Sequence, residues 1–366
     1  VPEPFFENWR ETYMDLDNLE TFKQLDQQDM YGHIDGLPGQ LEDAWNLGAR
    51  QPLPAVENVQ RVLIAGMGGS AIGADLLSAY IEPTCSVPVA VLRDYDLPAW
   101  ASGPQTLVIA SSHSGNTEET LSVFEQARER NCSLMAISTG GRLAELAGQA
   151  GATFWQFEHR GQPRAAVGYS FGLLVSLFAR LGLIPDPAGE LKAAVQAMRT
   201  QQANLAAAVK AVNNPAKRLA GQMVGRWVAV MGAGHLAPVA RRWKGQISEV
   251  AKAWAQFEFL PEANHNTMAG VVNPEDALQH TMVMFLKAAS YHPRNSLRFE
   301  LTRKAFMMEG LNTDFFVALG EDRLSQMWTT LHFGDYTAYY LAMAYGVDPT
   351  PVEAIESFKM AMKHGS

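Results

Sequence analysis

Short runs of Val, Leu and Ile at 61–65, 87–92, 106–110 and 133–137 alternate with stretches whose apolar residues recur at helical spacing. Runs of that length suit strands buried on both faces and are too short for buried helices. Strand and helix in alternation point to a mostly parallel sheet with helices on both sides. Residues 153–157 supply a candidate fifth strand, and a second series follows at 226–231, 255–259, 282–286 and 315–319. Between the two series, 165–222 reads as helical, and the Ala-rich stretch 191–212 suits one long connecting helix. The expected fold class is therefore α/β, with two domains of similar design that suggest an internal duplication. An N-terminal helical segment covers 1–55 and ends at Pro52 and Pro54; the first α/β domain covers 56–185, and the linker helix with the second domain covers 186–366.

The chain's 366 residues are enough for two full cores. Its net charge of -9 argues against an extended nucleic-acid surface, which needs clustered Lys and Arg. A pocket lined by N–H groups and hydroxyls still accepts a small anion. Cys85 and Cys132 both lie in or beside apolar runs and read as free thiols of a reducing compartment. The start of the chain has no basic segment followed by an apolar one, and no apolar stretch reaches the length of a membrane span. The expectation is a cytoplasmic protein without membrane or nucleic-acid partner.

Two turns of the first domain carry the residue types that a phosphate group requires. Gly66-Met67-Gly68-Gly69-Ser70 follows one apolar run, and Ser111-Ser112-His113-Ser114-Gly115-Asn116-Thr117 follows another. Glycine lets the backbone come close, a helix N-terminus offers free N–H groups, and hydroxyls add neutral donors. A dinucleotide fold competes for Gly66-x-Gly68, because Ala71 and Asp94 fall near its required positions. Ser70 has no task in a pyrophosphate turn, however, and that fold has no use for the second turn. A Walker loop is excluded, since no Lys-Ser or Lys-Thr follows the glycines. Ordinary glycine turns with hydroxyl helix caps explain one such turn as well as a phosphate does, but explain two together poorly. The candidate phosphate ligands are Gly68, Gly69, Ser70, Ser112, Ser114 and Thr117, with Thr117 either facing the anion or capping its helix. Glu118 and Glu119 read as first-turn acids favoured by the helix dipole. The second domain has Gly232-Ala233-Gly234-His235 at the matching place, so the phosphate is expected in the first domain alone.

These turns together resemble the sugar isomerase (SIS) domain. Further on, Lys244-Gly245-Gln246-Ile247-Ser248-Glu249-Val250-Ala251-Lys252 and Pro261-Glu262-Ala263-Asn264-His265-Asn266 are similar to the bacterial and archaeal bifunctional phosphoglucose/phosphomannose isomerases. So is the tail, from Gly334-Asp335-Tyr336-Thr337 through Gly346-Val347-Asp348-Pro349-Thr350-Pro351-Val352 to Phe358-Lys359. The matches span roughly 60–360 in the family's order, and 1–55 carries none of them. The resemblance implies two SIS-type domains that interconvert glucose 6-phosphate and/or mannose 6-phosphate with fructose 6-phosphate through an enediolate. It implies no metal and no cofactor.

Such a reaction moves one proton between C1 and C2, which needs a base and a cation for the enediolate oxygens. Glu249, on an amphipathic helix starting near Pro238, is the candidate base; by pattern alone it reads sooner as a surface partner of Lys244 or Lys252, and the family resemblance reverses that order. Glu262 competes with it. His265 sits between two amides in a polar loop, where core packing explains it poorly, and its ring can donate or accept near neutral pH. The resemblance assigns His265 to ring opening in the site of a partner subunit, implying a homodimer. It assigns Arg164 to the enediolate and Lys359 to ring opening, with Lys363 as the lysine most easily confused with it. His113 stands where the family often has tyrosine, and Thr267 where glutamate often follows Asn-His-Asn. The rival reading is a sugar-phosphate sensor without catalysis. An amidotransferase is a poorer fit, because its glutaminase domain and cysteine nucleophile find no counterpart in 1–55.

Overall fold

The structure, a computed structural model, describes residues 15–364, the last two by their backbone alone. Three short helices come first, α1 (Leu19–Leu25), α2 (Met30–Asp35) and α3 (Leu37–Gly48). Asn18 starts α1 by accepting from the N–H groups of Glu20 and Thr21. The first sheet is built from β1 (Arg61–Ala65), α4 (Gly68–Ile81), β2 (Val89–Leu92), β3 (Thr106–Ser111), α5 (Glu118–Glu129), β4 (Ser133–Ser138), α6 (Gly141–Ala150) and β5 (Thr153–Gln156). Its strands are all parallel in the order β2-β1-β3-β4-β5. Every residue of β3 is buried, as an unbroken apolar run at the centre of a covered sheet requires. The expected strand at 87–92 begins only at Val89, after Pro88, which has no N–H to give to a ladder.

Helices α7 (Val167–Arg180), α8 (Ala188–Gln202) and α9 (Pro215–Met223) join the two halves. The single helix expected over 191–212 is thus corrected: α8 stops at Gln202 and the chain turns. Long-range bonds outweigh alanine's helix preference here. Asn214 donates to the carbonyls of Leu205 and Ala206, caps α9 through Ala216 and Lys217, and holds the turn closed. Asp17 accepts from Ala211 N–H at 2.7 Å and pins the same turn to the N-terminal segment.

The second half contains β6 (Trp227–Ala233), α10 (Ala237–Glu249), β7 (Ala255–Leu260), α11 (Glu275–Gln279), β8 (Thr281–Lys287), α12 (Pro293–Met308), β9 (Asn312–Val317), α13 (Arg323–Tyr345) and α14 (Glu353–His364). Its sheet is also wholly parallel, in the order β7-β6-β8-β9. Counted from its first strand, that order repeats the topology of the first sheet, as a duplication would leave it. The last strand lies three residues earlier than the expected 315–319: its ladder runs from Asn312 to Val317, and Leu319 leaves to bond Thr329. Half-exposed edge residues such as Asn312 and Asp314 hide the strand from a hydropathy pattern. Among the described residues no helix is long and apolar enough to cross a membrane, and Cys85 and Cys132 are both free thiols.

Helix α13 is buried along almost its whole length and packs against α8, α9 and α10. Trp243 of α10 lies flat on Gly334 of α13, where any Cβ would collide with its indole, and it donates to the Thr330 carbonyl at 2.9 Å. One residue away on each helix, Arg242 and Asp335 form a buried ion pair through Nε at 3.1 Å and Nη2 at 2.7 Å. The second bond from Nη2 goes to the Arg164 carbonyl, also at 2.7 Å, which ties this helix pair to the first domain. Replacing Asp335 with Ala leaves the guanidinium buried and unpaired, a loss of about 3–5 kcal/mol. Denaturant unfolding of Asp335→Ala is expected to show a drop of that size; a change below about 1 kcal/mol would contradict this account.

Candidate active site

In the first sheet the chain leaves β1 toward β2 on one side and leaves β3 toward β4 on the other. The turns after β1 and β3 therefore open a crevice at the carboxyl ends of the strands, the usual ligand position in an open α/β sheet. All six expected phosphate ligands lie on these two turns. Ser70 is buried in the first turn of α4, and its Oγ accepts the N–H of His113 at 3.1 Å, joining one turn to the other. Ser112 Oγ pairs with Thr117 Oγ1 at 2.9 Å and accepts from Gly115 N–H at 3.1 Å, while Ser114 Oγ accepts from Asn116 N–H at 3.2 Å. Of the two roles expected for Thr117, helix capping is not the one adopted: its side chain makes no cap bond to α5.

Gly69 determines what borders this crevice. A Cβ there would collide with the Pro163 carbonyl, so the 3₁₀ turn Pro163–Ala165 rests directly on the turn after β1. Gln40 of α3 donates to the Ala165 carbonyl at 2.8 Å and holds the turn from the other side. Arg164 is thereby buried beside the crevice, 4% exposed. Its Nη2 donates to the carbonyls of Pro349 at 3.0 Å and Thr350, and its Nη1 lies 3.6 Å from Glu249 Oε2. Arg164 Nε is buried with no hydrogen-bond partner among the described residues. Burial pulls the guanidinium's pKa down, and Glu249 opposes it.

Glu249 is the last residue of α10, and its carboxylate keeps one third of its surface open (34%). Val250 caps the helix, and two residues further on Lys252 turns back so that its Nζ donates to the Glu249 carbonyl at 2.9 Å. The loop after α13 brings Asp348 into the same cluster, where it acts on both Arg164 and Lys252. Sequence pattern alone missed Lys252, Asp348 and the Arg242–Asp335 pair. All belong to motifs quoted above or lie beside them, but nothing local distinguishes them from solvated charges.

His113 has a definite structural place. Its Nε2 shares a hydrogen bond with His159 Nδ1 at 3.0 Å, and the His33 ring of α2 lies 5.0 Å from that of His159. Burial lowers the pKa of His113, and burial followed by the two neighbouring imidazoles lowers His159 to about 4. Phe157 stacks on Tyr169 alongside at 5.2 Å. The N-terminal segment thus braces the phosphate turn through His33 and Gln40.

Other expected site residues stand apart. His265 is exposed in the loop after β7, and Lys359 is exposed on α14; no hydrogen bond, ion pair or ring contact among the described residues links either to Glu249 or Arg164. Lys363 lies in the stretch described by backbone alone. Glu262 accepts from Asn266 at 3.0 Å and serves its own loop. In the second sheet the equivalent crevice is filled. Tyr291 donates to the Leu286 carbonyl at 2.8 Å and accepts from Ala233 N–H at 3.1 Å, and His235 is buried beside it with a pKa lowered to about 4 by burial.

Residues 212–362 match the family described as the bacterial phospho-glucose isomerase C-terminal SIS domain. The chain is 37% identical to the bifunctional phosphoglucose/phosphomannose isomerase of Caldicellulosiruptor bescii, over 90% of this chain and 98% of that one. It is 31% identical to the protein of the same name from Aquifex aeolicus, over 92% and 99%. A hypothetical protein of Thermus thermophilus shares the fold with a TM-score of 0.72 at 16% identity, covering 95% of this chain and 93% of the other.

Proposed function

The chain belongs to the bifunctional phosphoglucose/phosphomannose isomerase family and is a sugar-phosphate isomerase, and from that premise we propose that it interconverts glucose 6-phosphate and mannose 6-phosphate with fructose 6-phosphate through a cis-enediolate. The observation that carries the reading is Arg164, which rests against the phosphate turn at Gly69 and reaches to 3.6 Å from Glu249. Phosphate turn, cation and carboxylate are thus contiguous although they come from both halves of the chain.

The phosphate seats between the two turns, held by backbone N–H groups and by Ser70, Ser112, Ser114 and Thr117. That anchor places C1 and C2 toward the C-terminal end of α10. Glu249 removes the C2 proton of the open-chain aldose; the C2–H electron pair makes the C1–C2 double bond of the enediolate while the C1 carbonyl pair moves onto O1, and the O2 proton passes to O1. Return of the proton to C1 completes the ketose. Arg164 holds the enediolate oxygens with a charge that does not titrate in the working range, and its unpartnered Nε supplies a donor.

Ring opening falls to His265 and Lys359, which reach a site when two copies of the chain assemble. The second half leaves Phe259, Phe315, Val317, Leu301 and Met308 exposed, and α14 exposes Ile355, Phe358 and Met362. An apolar surface of this extent supports a homodimer. No groups of three or more His, Cys, Asp or Glu among the described residues are arranged to hold a metal.

Glu249→Gln is expected to lower kcat on fructose 6-phosphate by about 10²–10⁴ and to leave binding of the sugar phosphate within a few fold. Unchanged turnover in a coupled assay contradicts the assignment, and a wild-type protein that binds but never turns over favours the sensor reading. Mixing inactive Glu249→Gln with inactive His265→Asn tests the shared site. Exchange of subunits restores activity when histidine crosses the interface, because one hybrid site is then intact; no recovery despite exchange places His265 in its own subunit's site.

A further inference from the structure

Four residues other than glycine have positive φ among the described residues: Asp29, Asn58, Asn131 and Lys252. Asp and Asn tolerate that conformation because their short side chains bond locally. Lysine has no such aid. At φ 55°, Lys252, two residues past the C-cap Val250, holds a left-handed backbone that favours glycine, and Ala253 N–H closes the turn onto the Ile247 carbonyl at 3.2 Å.

The surroundings are unfavourable too. Lys252 is exposed at the surface, yet partial desolvation of its ammonium and then the like charge of Arg164 pull the pKa down to about 8, opposed by Asp348 and Glu249. A lysine whose folded pKa lies below its unfolded value lowers stability at neutral pH, and that penalty fades as pH rises past about 8. Backbone and electrostatics thus both favour another residue here. Local rules broken together beside a candidate base point to function.

The side chain does one specific thing. Its Nζ donates to the Glu249 carbonyl at 2.9 Å and to the Val250 carbonyl at 3.3 Å, closing the end of α10 on the residue that bears the carboxylate. It also borders a cavity of about 740 Å³ together with Arg226, Trp227, Trp254 and Tyr345. We propose that Lys252 is a positioning residue for the base: its ammonium clamps the last turn of α10 and so sets where the Glu249 carboxylate meets C1 and C2. The inference rests on Glu249 being that base. The charged and titratable groups that face Lys252 are Glu249 at the end of α10, Arg164 from the 3₁₀ turn, Asp348 from the loop after α13, and Arg226 and Tyr345 across the cavity.

Lys252→Gly separates this role from a structural one, because glycine relieves the backbone and removes the charge. The variant is expected to unfold at the same or a higher temperature, to lose about 10- to 100-fold in kcat, and to keep KM within about threefold. Lys252→Arg keeps a cation that does not titrate, so it restores most of kcat. It also moves the alkaline limb of the pH–kcat profile, expected near pH 8 in the wild type, upward by more than about one unit. Lys252→Gly within about twofold of wild-type kcat, or an alkaline limb unmoved in Lys252→Arg, overturns the proposal. Glu249→Gln assayed in parallel distinguishes the failures. If that variant still turns over, the base assignment falls and takes the Lys252 role with it. If it is inactive beside a fully active Lys252→Gly, the Lys252 role falls alone.

Discussion

Arg242, held by a two-pronged bond to Asp335, links the two halves of this protein. It joins α10 to α13 inside the core, and the same guanidinium reaches the Arg164 carbonyl in the first domain. Burying one ion pair contributes little net stability, since desolvation offsets the attraction. What it supplies is placement. With α10 tied to the Arg164 turn, Glu249 at the helix end has a set position relative to that turn. Gly69 then carries the placement to the phosphate crevice by letting Pro163 press against it.

The two sheets share a topology but differ at the crevice where it would open. In the first sheet small residues and hydroxyls leave room and offer donors. In the second, Tyr291 takes the Ala233 N–H and the Leu286 carbonyl, and His235 fills the rest. A phosphate there would have to displace a tyrosine that satisfies two buried backbone groups. The second half contributes instead through the end of α10, which faces the first half's crevice by way of Arg164.

Much of this was legible in the residues. Strands β1, β3 and β4 announced themselves because a sheet covered on both faces needs unbroken apolar runs, and the two hydroxyl-rich turns because their glycines and serines sit side by side in the sequence. The edge strand β9 was displaced in the reading because Asn312 and Asp314 carry no apolar signal. The Ala-rich stretch misled because Asn214, just past its end, and Asp17, far away in sequence, bond to its backbone and hold a turn after α8. Arg164 and Glu249 came from the family resemblance; their adjacency depends on Gly69, Arg242 and Asp335 acting together, which no local pattern encodes. Lys252 was passed over as a solvated charge because a positive φ leaves no mark on composition. His113 looked like a departure in a binding turn, and it is one end of a histidine pair that the N-terminal segment buttresses.

The central claim is that one substrate bridges the crevice of the first domain and the end of α10 in the second. A crystal structure of the protein with bound fructose 6-phosphate tests it most directly. The account predicts the phosphate on the turns of Ser70 and Ser112–Thr117, with the Glu249 carboxylate within about 3–3.5 Å of C1 or C2. A phosphate bound elsewhere, or a Glu249 carboxylate turned away from the sugar while the turns are occupied, would contradict it.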